Sequence, residues 1–319
     1  MFRRSLLKHF DLDALGQYRG AVHETMVGEI VDAVEAREML AVVAPFGSGK
    51  TELLKMAERE SDALFVRVNS PDKERMRMPS IMGALVYGVT DYAVEPKAHT
   101  ERRAVQLVHK ILGPRVVGEG RDVCLVIENA HRLDPSVLMA VKDFREHAYR
   151  GVSPLISVVL VGQPPLRDKL ERYGEVYHRT RLLSLDEKGG WMTHAERIAY
   201  LEARFGTAIE AATRVRIAGL QPRPLLLDTE VERLMQEARA AGYDVVDARV
   251  CPASVAERME ALGVTNREVA DRATADSGEV LSPSSVSEAK NGRPVSDSVK
   301  ARVEGALSGL EADRLRKAV

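Results

Sequence analysis

The sequence has few aromatic residues, few cysteines and almost no net charge, and each absence excludes a class of protein. Aromatic residues make up 5% of the 319 residues, so aliphatic side chains must fill the interior. The two cysteines, Cys124 and Cys251, show no paired spacing. This spacing excludes a disulfide framework or a cysteine metal site and favours a reducing compartment. A net charge of -1 gives no overall field that would draw the chain onto nucleic acid, so any such contact must be local.

Long apolar runs are also missing. The longest are far shorter than the roughly 20 residues that a membrane-spanning helix needs. The first residues, MFRRSLLKHFDLD, turn acidic too soon for a signal peptide. We therefore expect a soluble, cytoplasmic protein with no membrane contact. The length suggests two domains, because a single core rarely grows beyond about 250 to 300 residues.

Apolar runs alternate with helical patterns in the first half of the chain. Residues 22–34 carry apolar side chains at helical spacing and lead into the apolar run MLAVVA at 39–44. Later apolar runs predict further strands at 64–68, 123–127, 156–162 and 181–185. Buried strands separated by helices favour a parallel sheet covered on both faces. The expected fold class is therefore α/β.

The second half of the chain has the patterns of helices without intervening strands. The segments HAERIAYLEARFG, RVRIAGL and RPLLLDTEVERLMQEARAAG predict a helical lid. Helical periodicity is lost from Tyr243 to Pro252, which indicates a linker. The predicted domains are an N-terminal arm at 1–21, an α/β core at 22–186, a helical lid at 187–242, a linker at 243–253 and a small all-α domain at 254–319.

The strongest motif lies directly between the first strand and the following helix. It fits the Walker A pattern, with alanine first where glycine is commoner, and consists of Ala44, Pro45, Phe46, Gly47, Ser48, Gly49, Lys50 and Thr51. The glycines let backbone amides approach phosphates, and the helix offers its positive N-terminal end. Lys50 neutralises the outer phosphates, and Thr51 can hold Mg²⁺. The motif predicts a P-loop that binds a magnesium nucleotide.

An acidic group should follow a neighbouring strand, and VCLVIENAHRLD supplies Glu128 and Asn129 there. The usual order is Asp then Glu. Glu128 is expected to reach the Mg²⁺ shell through water. Asn129 stands where a glutamate normally polarises the attacking water, and an amide cannot accept that proton. Hydrolysis should therefore be slow, or depend on another role for Glu128 or on a group from a partner.

Four further polar residues are candidates for phosphate sensing. Gln163 follows the fourth strand, where it either senses the terminal phosphate or belongs to an ordinary strand-to-helix turn that Pro164 opens. Arg179, Arg181 and Arg223 suit developing phosphate charge because arginine stays protonated and binds in a fork. A solvated surface arginine is the alternative for each.

With these motifs in order, residues 20 to 240 resemble the AAA+ ATPases of bacterial transposition, the TnsC, TniB and Mu B proteins, and also the ExeA secretion ATPases. The motifs that carry the resemblance are APFGSGKT, VIENAHRL, VLVGQPPLRDKL and GLQPRP. In that group the second motif usually reads like IDEAHRL. The resemblance implies a Walker A pair of Lys50 and Thr51, a Walker B pair of Glu128 and Asn129, sensors at Gln163 and Arg223, and a finger at Arg179 or Arg181 that reaches a neighbouring subunit.

The same resemblance implies an ATP-dependent homo-oligomer, a ring or a helical filament on DNA, that recruits or activates a transposase at target DNA. The Walker B departures put turnover in question, not binding. A nucleotide-gated transcription or defence regulator is the main alternative, since one fold serves many functions. A secretion ATPase is disfavoured because no membrane segment is visible, and a metabolic kinase because no acceptor site is recognisable.

Residues 254 to 310 predict four or five short helices. Gly263 ends the first, Thr265 caps the second, Ser282 and Pro283 open the third, and Ser296 caps the last. The pattern GVTNREVADRA followed by SSVSEAKNGR resembles the helix-turn-helix domains of phage repressors. The intervening loop TADSGEVL is longer than usual for that fold.

The predicted DNA contacts lie in this tail and in one loop of the core. The resemblance places base-edge or phosphate contacts at Ser284, Ser285, Ser287 and Lys290, with Asn291 and Arg293 on the flanking backbone. From Cys251 onward, however, ten basic residues face eleven acidic ones, a net charge of -1. A protein-docking tail is therefore the alternative. In the core, Lys73, Arg75 and Arg77 either face a phosphate backbone or form a solvated loop.

Overall fold

The five predicted strands form one parallel sheet in the computed structural model, which describes residues 2–68, 72–184, 192–221, 223–291 and 293–317. The strands are β1 (Met39–Val43), β2 (Leu64–Arg67), β3 (Val123–Glu128), β4 (Ser157–Gly162) and β5 (Thr180–Ser184). Their order across the sheet is β2-β3-β4-β1-β5. The ends of β3, β4 and β1 are therefore neighbours at one edge.

Helices connect the strands and make up the chain after the last strand. Within the described residues the α-helices are α1 (Arg4–His9), α2 (Ala21–Glu35), α3 (Lys50–Glu60), α4 (Met78–Thr90), α5 (Thr100–Gln106), α6 (Pro135–Arg145), α7 (Pro165–Glu171), α8 (Gly174–Tyr177), α9 (His194–Phe205), α10 (Ala211–Leu220), α11 (Pro224–Ala240), α12 (Val255–Leu262), α13 (Asn266–Ser277), α14 (Pro283–Lys290) and α15 (Asp297–Lys317). Two π-helical segments, Leu107–Leu112 and Pro114–Gly118, continue α5. The α/β fold with a helical C-terminal region is confirmed.

The chain forms two compact units. The sheet unit comprises Asp13–Gly206 and Ile217–Glu232, and the helical unit comprises Met1–Leu12, Thr207–Arg216 and Arg233–Val319. These units do not correspond one to one with the predicted arm, core, lid and tail. The predicted domain boundaries therefore stay predictions.

Aliphatic residues fill the core of the sheet unit, as the low aromatic content predicts. Every residue of β1 and β4 is buried. Alternate residues of β3, Leu125 and Ile127, pack in one cluster with Val158 and Leu160 of β4 and with residues of α4, α6 and α7. Such close packing fixes the sheet as a rigid base from which the loops at the strand ends project.

The predicted helix ends in the tail are confirmed. Thr265 accepts the backbone N–H of Glu268 while the Glu268 carboxylate accepts the Thr265 N–H, a capping box. Gly263, with φ 65°, ends α12, and the Ser282 side chain caps α14. These local signals fix where the tail helices begin and end.

The loop between the second and third tail helices is shorter than the sequence suggests. Helix α13 continues to Ser277, so the first half of TADSGEVL is helical. The loop begins only at Gly278, whose φ is 73°. The Thr274 and Ser277 hydroxyls donate to the carbonyls one turn back, at 2.8 and 2.7 Å. These bonds satisfy the hydroxyls within the helix. The loop that remains, residues 278–282, is shorter than TADSGEVL but still longer than the turn of roughly 3–4 residues usual in helix-turn-helix domains.

Candidate nucleotide site

The loop between β1 and α3 has the backbone shape of a phosphate-binding loop. Gly47 and Gly49 have φ values of 77° and 84°, a region that favours glycine. The buried Ser48 hydroxyl donates to the Pro45 carbonyl at 2.8 Å. The Lys50 ammonium donates to two carbonyls of the same loop, at 2.8 and 2.7 Å. The loop is thus already formed, with the lysine head folded over it.

Arg223 and the start of α11 are held against this loop. The Arg223 Nη1 donates to the Phe46 carbonyl at 3.3 Å, and the Leu225 N–H donates to the Gly47 carbonyl at 3.2 Å. Burial, and then the charge of Arg223, lower the pKa of Lys50 to about 8. Two cations beside one loop make it a site for an anion, because a bound phosphate would relieve their repulsion.

The two predicted magnesium ligands contact each other. The Thr51 Oγ1 donates to Glu128 Oε2 at 3.2 Å, which joins the first turn of α3 to the end of β3. A hydroxyl and a carboxylate are oxygen ligands that suit Mg²⁺, so these residues fit that cation. The sequence reasoning missed Arg67, whose Nη1 donates to Glu128 Oε1 at 2.8 Å. Its signal in the sequence was a charged residue that ends a buried strand.

Asn129 takes a left-handed backbone conformation directly after Glu128, with φ 55°. Asparagine tolerates this region better than most residues. Asn129 lines the same open cleft as Glu128 and the phosphate loop. The site therefore presents an amide at the position next to the predicted metal ligand.

Gln163 lines this cleft as well, directly after β4. Its backbone N–H donates to His131 Nδ1 at 3.3 Å, so the histidine acts as an acceptor in its neutral form. Burial and the charge of Lys169 lower the pKa of His131, which favours that form. His131 thus fixes the strand end that carries Gln163.

The cleft has a volume of about 660 Å³ and continues past the phosphate loop to a second end that the sequence did not indicate. That size is typical of sites for cofactors and other small molecules. The second end is lined by Leu15, Gly16, Gln17, Tyr18, His23, Met56, Tyr200, Arg204 and Asp228.

A half-buried ion pair organises the second end. Arg204 donates to Asp228 through Nε and Nη2, at 3.1 and 2.8 Å, and the Tyr200 hydroxyl donates to the same carboxylate at 2.8 Å. Burial raises the pKa of both Asp228 and Tyr200. The Tyr18 ring meets the Tyr200 ring edge-on at 5.7 Å. These contacts give the cleft an aromatic and polar wall.

Gly16 lies where a side chain has no room. Its N–H donates to the Arg204 carbonyl at 3.1 Å, and a Cβ there would stand 1.8 Å from the Ala203 carbonyl oxygen. The segment around Gly16 is therefore seated directly on the backbone of α9. This close approach could not be inferred from the composition of the N-terminal arm.

The cleft residues fall largely within a recognised domain. A family model described as an AAA domain matches residues 33–170, a range that contains the phosphate loop, Glu128, Asn129 and Gln163. Residues 33–170 form an AAA domain. The domain implies nucleotide binding and an ATPase of the P-loop class. A search of curated proteins found no match to the chain.

Solved structures with the fold of the AAA domain extend the likeness over most of the chain. Cdc6p of Pyrobaculum aerophilum is 14% identical with a TM-score of 0.56, over 96% of this chain and 89% of that one. The ORC2 protein of Aeropyrum pernix is 14% identical with a TM-score of 0.55, over 95% and 89%. Drosophila ORC is 12% identical with a TM-score of 0.52, over 98% and 84%. At these identities the likeness shows the fold alone.

Arg179 and Arg181 lie away from the cleft of the AAA domain. Thr180 pairs with Met39, so β5 begins beside the start of β1, whereas the phosphate loop follows its end. Arg179 pairs with Glu146 at 3.0 Å, and Arg181 pairs with two carboxylates. Neither side chain serves the nucleotide cleft of its own chain. A finger that reaches a neighbouring subunit stays a prediction.

The three predicted DNA contacts near β2 differ in exposure. Lys73 is buried, and its ammonium donates to the carbonyl of Val68 just after β2. A phosphate contact by Lys73 is therefore wrong, because the ammonium is already held inside the domain. Arg75 is exposed, and the Arg77 guanidinium donates to two carbonyls of its own loop. Contacts by these two arginines stay predictions.

The predicted contacts in the tail lie on α14 and just after it. Ser284, Lys290, Asn291 and Arg293 are exposed, whereas Ser285 and Ser287 are half-buried. The hydroxyls of Ser284 and Ser285 lie 2.7 and 2.9 Å from that of Ser282, in the helix cap. The cap thus occupies two of the serines, and the DNA contacts stay a prediction.

Among the described residues, no helix is long and apolar enough to cross a bilayer.

Proposed function

We propose that this protein is an ATP-dependent DNA-binding switch. In this proposal it assembles as a homo-oligomer on DNA when ATP is bound, hydrolyses ATP slowly, and recruits or activates a transposase at target DNA. The AAA domain supplies the nucleotide site, and the remaining steps are the proposal.

The contact between Thr51 and Glu128, beside an amide at Asn129, carries the proposal. Thr51 and Glu128 would hold Mg²⁺, which supplies charge neutralisation for the phosphates. Lys50 and Arg223 would bind the outer phosphates, since both are held at the loop. Asn129 offers no proton acceptor for an attacking water, so bound ATP is expected to be hydrolysed slowly. A long-lived ATP-bound state suits a switch better than a motor.

The switch needs only a modest energetic bias. If ATP favours the assembled form by a few kcal/mol, the population moves almost completely between two states. Arg179 or Arg181 would supply the bias, because each stands away from its own cleft. A neighbouring subunit's phosphate would then replace the carboxylates that hold its guanidinium in the single chain.

DNA is proposed as the partner on two grounds. The Drosophila ORC structure, which shares the fold, is bound to DNA. The loop between α13 and α14 of the helical tail is shorter than the sequence suggests, which brings the tail nearer to a helix-turn-helix. The transposase is proposed from the motif resemblance, and a transposase gene beside this one would support it.

The proposal is tested by DNA binding of the full chain on an unrelated duplex, with ATP, with ADP and without nucleotide, across a salt series. Tight binding that requires ATP and grows with duplex length is expected. The Lys50→Ala variant is the matched control, and its binding should no longer respond to ATP. Binding that ignores nucleotide, or no binding, would contradict the switch.

A nucleotide-gated regulator is the second candidate, favoured by the exposed face of α14. Footprinting on genomic fragments separates the two. A protected site of defined sequence would support the regulator, whereas uniform protection would support assembly without sequence preference.

A further inference from the structure

Arg67 stands between two carboxylates at the edge of the nucleotide site. It is the last residue of β2, and its guanidinium donates to Glu128 Oε1 and to Glu58 Oε2, each at 2.8 Å. Glu58 lies on α3, seven residues after Thr51, so both project from one face of that helix. One cation thus joins the ends of β2 and β3 to the helix that follows the phosphate loop.

The charge on Glu128 is therefore already engaged on the side away from Thr51. Arg67 holds one carboxylate oxygen, and Thr51 contacts the other at 3.2 Å. The Lys73 ammonium also lies within the field of Glu128: burial lowers the pKa of Lys73, and the Glu128 charge partly offsets that effect. Asn129 adds no second negative charge. A divalent cation that approaches Glu128 meets a site that is close to neutral.

The geometry points to Arg67 as a positioning residue that competes with the divalent cation for Glu128. This inference rests on the proposed nucleotide site. Arg67 holds the Glu128 carboxylate beside Thr51, and its charge repels a cation there. The cation then binds well only when nucleotide phosphates supply the missing negative charge. The Arg67–Glu128 ion pair thus makes cation binding depend on bound nucleotide.

Glu58 makes the inference testable in both directions. Removing the Arg67 charge frees Glu128 and should tighten cation binding. Removing the Glu58 charge leaves Arg67 wholly to Glu128 and should weaken it. If Arg67 only braced the structure, both changes would weaken cation binding, because each would loosen the position of Glu128.

The experiment measures Mn²⁺ affinity by electron paramagnetic resonance on the full chain saturated with ADP. The variants are Arg67→Met, Arg67→Lys and Glu58→Gln. Arg167→Met is the control, since Arg167 pairs with Glu171 on α7 and does not line the cleft. The affinity for a fluorescently labelled ADP is measured in parallel in EDTA, without divalent cation. Thermal unfolding confirms that each variant folds.

Arg67→Met is expected to bind Mn²⁺ roughly tenfold more tightly, from the loss of one like charge near the cation. Arg67→Lys should restore most of the wild-type value, Glu58→Gln should bind more weakly, and the control should not change. Weaker or unchanged Mn²⁺ binding by Arg67→Met, with ADP binding in EDTA intact, would overturn the inference alone. Failure of the wild-type chain to bind ADP at all would overturn the proposed function and the inference with it.

Discussion

Charged side chains are used differently in the nucleotide cleft and in the four-helix tail from Val255 to Lys317. In the cleft, Lys50 is held against backbone carbonyls and beside a second cation, Arg223, and its pKa falls to about 8. In the tail, Arg258 pairs with Glu311 at 2.8 Å, and that hydrogen bond raises the pKa of Arg258. At the phosphate loop, Lys50 and Arg223 are held by backbone carbonyls and not by carboxylates, whereas most arginines of the tail pair with carboxylates.

The difference separates a binding site from a stabilised scaffold. Shifted pKa values that burial and like charges produce are typical of functional sites. Ion pairs within one segment instead leave little net field for a partner. Among the tail side chains that the structure describes, Lys290, Arg293, Lys300 and Arg314 make no ion pair, and Arg314 donates only to the backbone carbonyl of Ala261. Any phosphate contact by the tail is therefore expected mainly from these four.

Replacing Asn129 tests whether the cleft is a poor catalyst for lack of a base. Asn129→Glu should raise the single-turnover rate of ATP hydrolysis by roughly 100-fold, the usual contribution of a general base. The left-handed backbone will cost part of that gain, because glutamate is less favoured there than asparagine. Asn129→Gln, which has the same length without the charge, is the control. An equal rate in both variants would show that the lack of a base at position 129 does not limit hydrolysis.

Closing the space at Gly16 tests whether the second end of the cleft belongs to the site. Gly16→Ala places a Cβ against the Ala203 carbonyl, so the segment must shift from α9. We expect ADP affinity to fall by roughly 30-fold, equivalent to about 2 kcal/mol. Gly28→Ala is the control, because a Cβ there has no neighbour within 4 Å. If titration calorimetry gives the Gly16→Ala and Gly28→Ala variants equal ADP affinities, the second end of the cleft does not belong to the nucleotide site.

The lowered pKa of Lys50 predicts a pH dependence of binding. The free protein loses the Lys50 proton above about pH 8, and bound phosphate favours the charged form. Binding therefore takes up a proton there, and ADP affinity should fall by up to roughly tenfold per pH unit above pH 8. Lys50→Arg, which keeps its charge, should show a flatter profile. A wild-type profile flat from pH 7.5 to 9.5 would contradict the shifted lysine.

The smallest expected effect concerns the tail. Replacing Lys290 and Arg293 by alanine should reduce the slope of log affinity against log salt by about two, close to one for each lost phosphate contact. Ser284→Ala is the control, since it removes no charge. Salt-dependent binding that the double variant leaves unchanged would assign DNA contact to another surface and leave the tail as a protein-docking domain.

Sequence patterns located most of the sheet and of the phosphate site. The strand β4 was expected at 156–162 and spans Ser157–Gly162, because buried parallel strands read as continuous apolar runs. The phosphate loop and its glycines follow from a local motif. The sequence did not indicate that four further side chains belong to the cleft or to its edge, because each acts through partners that are distant in the chain. They are Arg67, Tyr200, Arg204 and Asp228.

The sequence by itself determined the local structure: which runs are strands, where Thr265 and Ser282 start helices, and which loop needs glycines. Hydrophobic period, caps and backbone freedom act over a few residues and leave their mark in any short window. Only the tertiary structure decided which charges meet. It buried Lys73, brought Arg67 to Glu128 and seated Gly16 on α9, because burial and ion pairing depend on elements that fold together from separate parts of the chain.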